Sequence, residues 1–138
     1  FDGTSLGARF SMWTVGIANG LAHPLGQSLE DRETWTRQYI KDGHPHLGSA
    51  LEYIKVHLHN EFIEKYSLQG IPGVAVMLFF FVSMIVYALR NRNALLLTSM
   101  LLLILYGLTD VILLSSEALI FFMVLFALST PFTQTKQQ

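Results

Sequence analysis

Leu68-Gln69-Gly70-Ile71-Pro72-Gly73-Val74-Ala75-Val76-Met77 is the stretch where this chain changes character. Before Gly70 lie all five histidines, six of the nine Lys and Arg residues and eight of the ten Asp and Glu residues. Beyond it, Ile71 to Leu89 carries no charge. At 1.5 Å per residue that run reaches about 28 Å, close to the hydrocarbon thickness of a bilayer. Arg90-Asn91-Arg92-Asn93 ends it abruptly. A second apolar run extends from Ala94 to about Leu114, with Asp110 in its last turns, and a third covers Ala118 to Phe132. The third is short for a full span, so the second helix is expected to end near Thr109 and residues 111–117 to form a bend at the interface. Buried helices of a soluble core are the alternative, and three such runs in succession disfavour it.

The expected fold is therefore all-α and membrane-integral. Residues 1–70 form a polar loop region with two amphipathic helices. Three transmembrane helices follow, at about 71–89, 94–110 and 118–132, with a polar tail over 133–138. Arg90 and Arg92 mark a cytoplasmic loop by the positive-inside rule, and Lys136 puts the tail on the same side. Three spans then place residues 1–70 and the 110–117 bend together on the outer face. The formal charge of −1 argues against a nucleic-acid partner, which needs a basic surface. The absence of cysteine excludes disulfides and thiolate chemistry. Phe1 begins nothing that resembles a signal peptide, and the chain is expected to be the C-terminal part of a longer protein.

Within the polar half, Leu6, Phe10, Trp13, Ile17 and Leu21 recur at helical spacing, with Thr4 or Ser5 as caps and Gly20 and Pro24 marking the end. Residues 27–48 read as a surface loop with one helical turn around Trp35–Tyr39. Ser49-Ala50-Leu51-Glu52 has the capping-box pattern, and Leu51, Ile54, Leu58, Phe62 and Tyr66 continue at helical spacing. That predicts one amphipathic helix running to Gly70, a glycine suited to a left-handed cap, with His59 in the middle of the helix. Glu61, Glu64 and Lys65 then read as a solvated face.

His57 and His59 lie two residues apart. On a helix they project about 200° apart and cannot share an ion, which leaves His57 as an i, i+4 surface partner of Glu61. On a strand, His57, His59 and Glu61 could converge on a metal, and His44 and His46 are further candidates for such a site. The helical reading favours no metal. A histidine at a membrane face is by itself an ordinary interfacial side chain, but its pKa near 6.5 also suits it to accept a proton from a hydroxyl. Asp110 and Glu117 read equally well as interfacial or functional carboxylates.

The His59-Asn60 pair, the nine-residue spacer and Gly70-Ile71-Pro72-Gly73 at a membrane entry together resemble the loop motif of the bacterial O-antigen ligase family. Arg9-Phe10-Ser11-Met12-Trp13 resembles that family's arginine preceding a tryptophan-bearing helix, and His23-Pro24-Leu25-Gly26 its helix-ending Pro-Leu-Gly. The resemblance covers residues 1 to about 110 and is strongest from His57 to Val74. It implies a multi-pass protein of the bacterial inner membrane with its site on the periplasmic face. The implied reaction is transfer of O-antigen glycan from undecaprenyl pyrophosphate to lipid A–core, by inversion and with neither metal nor cofactor. His59 is the implied base, Arg9 the implied pyrophosphate ligand and Asn60 a substrate-binding residue. A protein O-oligosaccharyltransferase and an O-antigen polymerase share the motif style. A non-catalytic transport or assembly subunit is the reading of another class.

Overall fold

The computed structural model describes residues 5–52, 57–111 and 116–129. The described residues are helical, without strands: α1 (Ser5–Ala22), α2 (Leu29–Lys41), a 3-10 helix (Pro45–Glu52), α3 (Glu61–Arg90), α4 (Ala94–Gly107) and α5 (Ser116–Ser129). This agrees with the all-α expectation. Among the described residues, one helix, α3, is long and apolar enough to cross a membrane by length and composition. Helices α4 and α5 have 14 residues each, about 21 Å at the α-helical rise and short of a full hydrocarbon core. The expected third span continued to Phe132, and residues 130–132 lie outside the described residues.

Helix α3 is broken at Gly70, whose φ of 61° and ψ of −154° are not helical. Pro72 has no amide hydrogen, so the Leu68 carbonyl loses its intrahelical donor. The Gln27 amide takes that place at 2.8 Å, and the Ile71 amide, diverted from the helix, donates to the Pro24 carbonyl at 2.8 Å. The Ser67 carbonyl accepts from the Gln27 side chain at 3.0 Å. The turn after α1 thus supplies the donors and the acceptor that the broken helix lacks. Gly26 (φ 93°) and Gly70 permit the approach. A Cβ at Gly70 would strike the Pro24 carbonyl and lie 2.6 Å from the Gly26 nitrogen.

Helix α1 packs on the first part of α3 through small residues. A Cβ on Gly16 would come within 2.6 Å of both Leu58 and Ile63, and one on Gly20 would enter the Tyr66 ring. Met12, Val15, Ile40, Leu47, Ala50 and Leu58 form the core beneath. Of the stripe that marked α1 in the sequence, Trp13 packs against the core, but Leu6, Phe10, Ile17 and Leu21 face the other way, 47–69% exposed. The glycine face wins the interior because it lets two backbones approach closely. Below the break, Val76, Phe79 and Val82 lie outward, 58–75% exposed, while Ala88, Leu96 and Met100 join α3 to α4.

Three further readings need correction. Residues 29–41 are a full helix, because Ser28 caps it by accepting from the Asp31 amide at 3.1 Å while its hydroxyl donates to the Asp31 carboxylate at 2.7 Å. Ser49 does not cap an α-helix but lies inside the 3-10 helix, and residues 53–56 of the expected helix lie outside the described residues. Leu47 and Ala50, three apart, are drawn into the core by this 3-10 helix (Pro45–Glu52). Glu61 and Glu64 are not solvated: each is 4% exposed, Glu64 paired with Arg32 of α2 at 2.8 Å and Glu61 with Lys65 at 3.6 Å.

Gly70→Ala should lower the thermal unfolding midpoint of the purified protein in detergent, with a cost of about 1–3 kcal/mol for the backbone strain alone. Gly48→Ala, which meets no atom within 4 Å, should leave it unchanged. Equal midpoints for the two variants would show that the break tolerates a side chain.

Candidate functional site

Leu58 fixes the local geometry. Its side chain is fully buried, its amide donates to Glu64 Oε2 at 2.9 Å, and its carbonyl accepts from the Trp13 indole at 3.0 Å. Glu64 is itself held by a buried ion pair, Arg32 Nη1 to Oε1 at 2.8 Å. Removing either partner would leave a buried charge uncompensated, a change that costs about 3–5 kcal/mol in comparable pairs. Leu58 therefore points inward, and the residues on either side of it point together the other way.

His57 and His59 are those residues, and they precede α3 rather than riding on it. His59 has a left-handed backbone (φ 50°), and Asn60 is the cap of α3, its side-chain oxygen accepting from the Phe62 and Ile63 amides at 3.0 and 3.1 Å. The predicted mid-helix position of His59 is thus wrong. The capping asparagine and the anchored Leu58 force the helix to begin after it. With it fall the surface pairing of His57 with Glu61 and the 200° separation of the two imidazoles. Their ring centroids lie 4.2 Å apart.

Both rings meet Asp110. His59 Nδ1 stands 3.3 Å from Asp110 Oδ1, and His57 Nε2 stands 3.6 Å from the same oxygen. The carboxylate is anchored by the Val111 amide at 2.8 Å. Immediately before it, the Leu108 carbonyl accepts from Asn60 Nδ2 at 3.0 Å and the Thr109 carbonyl from Arg9 Nη1 at 3.4 Å. Three successive residues at the end of α4 therefore gather Asn60, Arg9 and His59. The partial negative charge at a helix C-terminus favours the cationic arginine there.

The structure thus brings Arg9, His59 and Asn60 to one corner. Asn60 has its oxygen engaged in capping and its nitrogen in docking α4. In the sequence, Asp110 reads equally well as interfacial or functional and His57 as a metal candidate only on a strand, and neither is assigned to the site. Asp110 carried a faint signal as a carboxylate in an apolar run, whereas the Arg32–Glu64 pair, 32 residues apart in the chain, carried none. His44 and His46 belong to a different array, with His44 stacked on Tyr39 at 4.0 Å and His46 beside it at 6.1 Å. Among the described residues, the His/Cys/Asp/Glu group able to converge on a metal is His57, His59 and Asp110, whose ligand atoms all lie within 4.8 Å of one another.

Burial lowers the pKa of His57 below its ordinary 6.5, and the neighbouring His59 lowers it further, against the opposing pull of Asp110 and Glu64. The folded state thus prefers neutral His57. Below pH 6.5 the unfolded chain binds the proton first, so this contribution to stability is present above 6.5 and is lost as pH falls through the folded value. Imidazole resonances followed by NMR should show His57 titrating below 6.5. His57→Gln should flatten that part of the stability–pH curve, and titration at or above 6.5 would contradict the burial argument.

Among known proteins, the chain is 36% identical over 109 residues to a curated protein of Escherichia coli (strain K12) named O-antigen ligase. The match covers 79% of this chain and 26% of the relative. No family model and no solved structure matches. The chain is O-antigen ligase-like, and it spans about a quarter of the length of the curated relative it matches.

Proposed function

We propose that this chain carries the catalytic corner of an inner-membrane glycosyltransferase that joins O-antigen glycan, delivered on undecaprenyl pyrophosphate, to a sugar hydroxyl of lipid A–core. The observation that carries the reading is His59 held against Asp110, one residue from the carbonyl that receives Arg9. Similarity to an O-antigen ligase supplies the substrate class. The long apolar helix with its outward Val76, Phe79 and Val82 supports a membrane setting. The arginines at 90 and 92 favour the orientation that puts the corner on the periplasmic face.

In this mechanism the Asp110 carboxylate accepts from Nδ1–H of His59, so the neutral ring carries its basic lone pair on Nε2. That nitrogen takes the proton of the acceptor hydroxyl as the oxygen attacks the anomeric carbon. The bond from that carbon to the pyrophosphate oxygen breaks on the opposite face, with inversion. Arg9 turns its guanidinium to the departing pyrophosphate, where a planar fork gives two parallel charge-assisted bonds. Pyrophosphate leaves readily, so the step needs no metal. Asn60 contributes by position: it caps α3 and ties it to α4, setting where His59 stands. A positioned base typically supplies about 10²–10⁴ in rate. The related protein-directed transferases and polymerases would use the same corner on a different acceptor hydroxyl.

His59→Ala should abolish glycan transfer in excess chelator while wild type remains active there, and the variant should still insert in the membrane. Asp110→Asn keeps the shape but loses a charge-assisted bond worth about 1.5–3 kcal/mol, roughly ten- to a hundredfold in rate. Undiminished transfer by His59→Ala, read from the lipopolysaccharide ladder of a complemented strain, would refute the assignment.

Arg9→Lys retains charge without the planar fork. It should bind the lipid pyrophosphate in part yet transfer about ten- to a hundredfold more slowly, by the same bond energy. Arg9→Ala should lose both. Equal transfer rates for wild type, Arg9→Lys and Arg9→Ala would remove Arg9 from the site.

A further inference from the structure

We infer that His57, His59 and Asp110 form a site for one divalent transition-metal ion of the zinc class, and that the ion inhibits the protein by fixing His59 in a non-basic tautomer. The inhibitory part rests on the role for His59 proposed above; the binding part does not. Zinc binds imidazole nitrogen and carboxylate oxygen at roughly 2.0–2.2 Å, and tetrahedral angles then separate neighbouring ligand atoms by about 3.4 Å. The two edges meeting at Asp110 Oδ1 measure 3.3 Å to His59 Nδ1 and 3.6 Å to His57 Nε2. All three ligand atoms lie within 4.8 Å of one another.

The site is built in advance. Leu58 is held by its buried side chain, by Glu64 and by Trp13, so both imidazoles stand on one side of an anchored residue. The Val111 amide holds the carboxylate. Three protein ligands leave a fourth tetrahedral position for water. Magnesium and calcium need six or more oxygen ligands, or close to it, and two imidazoles with one carboxylate do not suit them. His57 Nδ1 is buried and has no hydrogen-bond partner among the described residues. Ligand histidines normally donate from the second nitrogen, and loss of that partner typically costs 10–100-fold in affinity. The site is therefore expected to hold zinc at about micromolar rather than nanomolar strength.

Coordination through Nδ1 of His59 leaves its proton on Nε2. The nitrogen that would accept the proton of the attacking hydroxyl then carries a hydrogen instead of a lone pair. The ion thereby removes the base without touching the substrate.

The test uses purified protein stripped with chelator and then dialysed. Zn²⁺ titrated calorimetrically should bind at one ion per chain, with Mg²⁺ giving no such binding. His57→Gln and Asp110→Asn should each weaken Zn²⁺ at least tenfold. In transfer assays, Zn²⁺ at ten times its dissociation constant should reduce the wild-type rate about tenfold from its own metal-free value by site occupancy, and chelator should restore it. His57→Gln, compared with its own metal-free rate, should need at least tenfold more Zn²⁺ for the same inhibition. Should that variant not purify as a monodisperse species, Co²⁺ bound to wild type should give the visible absorption of a four-coordinate site with nitrogen ligands. Absence of stoichiometric Zn²⁺ binding, binding unchanged in both variants, or absence of the Co²⁺ bands overturns the metal site. Stoichiometric binding without inhibition overturns the inhibitory part. Activity of His59→Ala in chelator overturns the base reading instead and leaves the binding result untouched.

Discussion

A backbone exchange at the break in α3 holds the molecule together. Pro72 deprives the Leu68 carbonyl of a donor, and Gly70 diverts the Ile71 amide out of the helix. Both groups are recovered by Gln27 and Pro24 from the turn that follows α1. In a low-dielectric setting an unpaired peptide group costs several kcal/mol, so the turn and the break stabilise one another. The exchange also locks α1 onto the first part of α3, where Gly16 and Gly20 bring the helices close enough for Trp13 to reach the Leu58 carbonyl.

The candidate site inherits its geometry from that docking. With α1 seated, Leu58 is held by a buried side chain, an indole and a carboxylate. The carboxylate belongs to Glu64, held in place by Arg32. A buried ion pair is weak evidence for stability, since desolvation offsets much of the attraction. Here it has a second consequence, because Glu64 Oε2 fixes the residue between the two imidazoles. The end of α4 then completes the corner. Its last carbonyls and Asp110 present three acceptors in a row to groups from α1 and from the segment before α3. Residues 100 positions apart in the chain meet there because a helix end exposes unsatisfied carbonyls at one point.

The proposed base and the proposed metal site share this one corner. A carboxylate that accepts from Nδ1–H fixes the tautomer of an imidazole, leaving the lone pair on Nε2. A carboxylate against two imidazoles is also three-quarters of a tetrahedral metal site. Which behaviour prevails depends on the tautomer of His59, and that is set by what occupies the space between Nδ1 and Asp110.

By itself the sequence determined the helical class, the change of composition at Gly70 and the break in the helix there. Each follows from local rules: the length of an uncharged run, the missing amide of Pro72, the permissive backbone of Gly70. Sequence also pointed to Arg9, through its resemblance rather than its chemistry. Local rules failed where two segments competed for the same residues. The pattern Ser-x-x-Glu at Ser49 and Ser-x-x-Asp at Ser28 look alike, yet only Ser28 caps an α-helix, because Leu47 and Ala50 are pulled into the core at a spacing of three. Most of the apolar stripe of α1, Trp13 excepted, faced outward because glycines allow closer packing than leucines. The side of the chain on which His57 stands, the burial of Glu64 and the part played by Asp110 were decided only by tertiary structure. All three depend on contacts between α1, α2, α3 and the end of α4, and no periodicity within one segment records which distant segment will cover it.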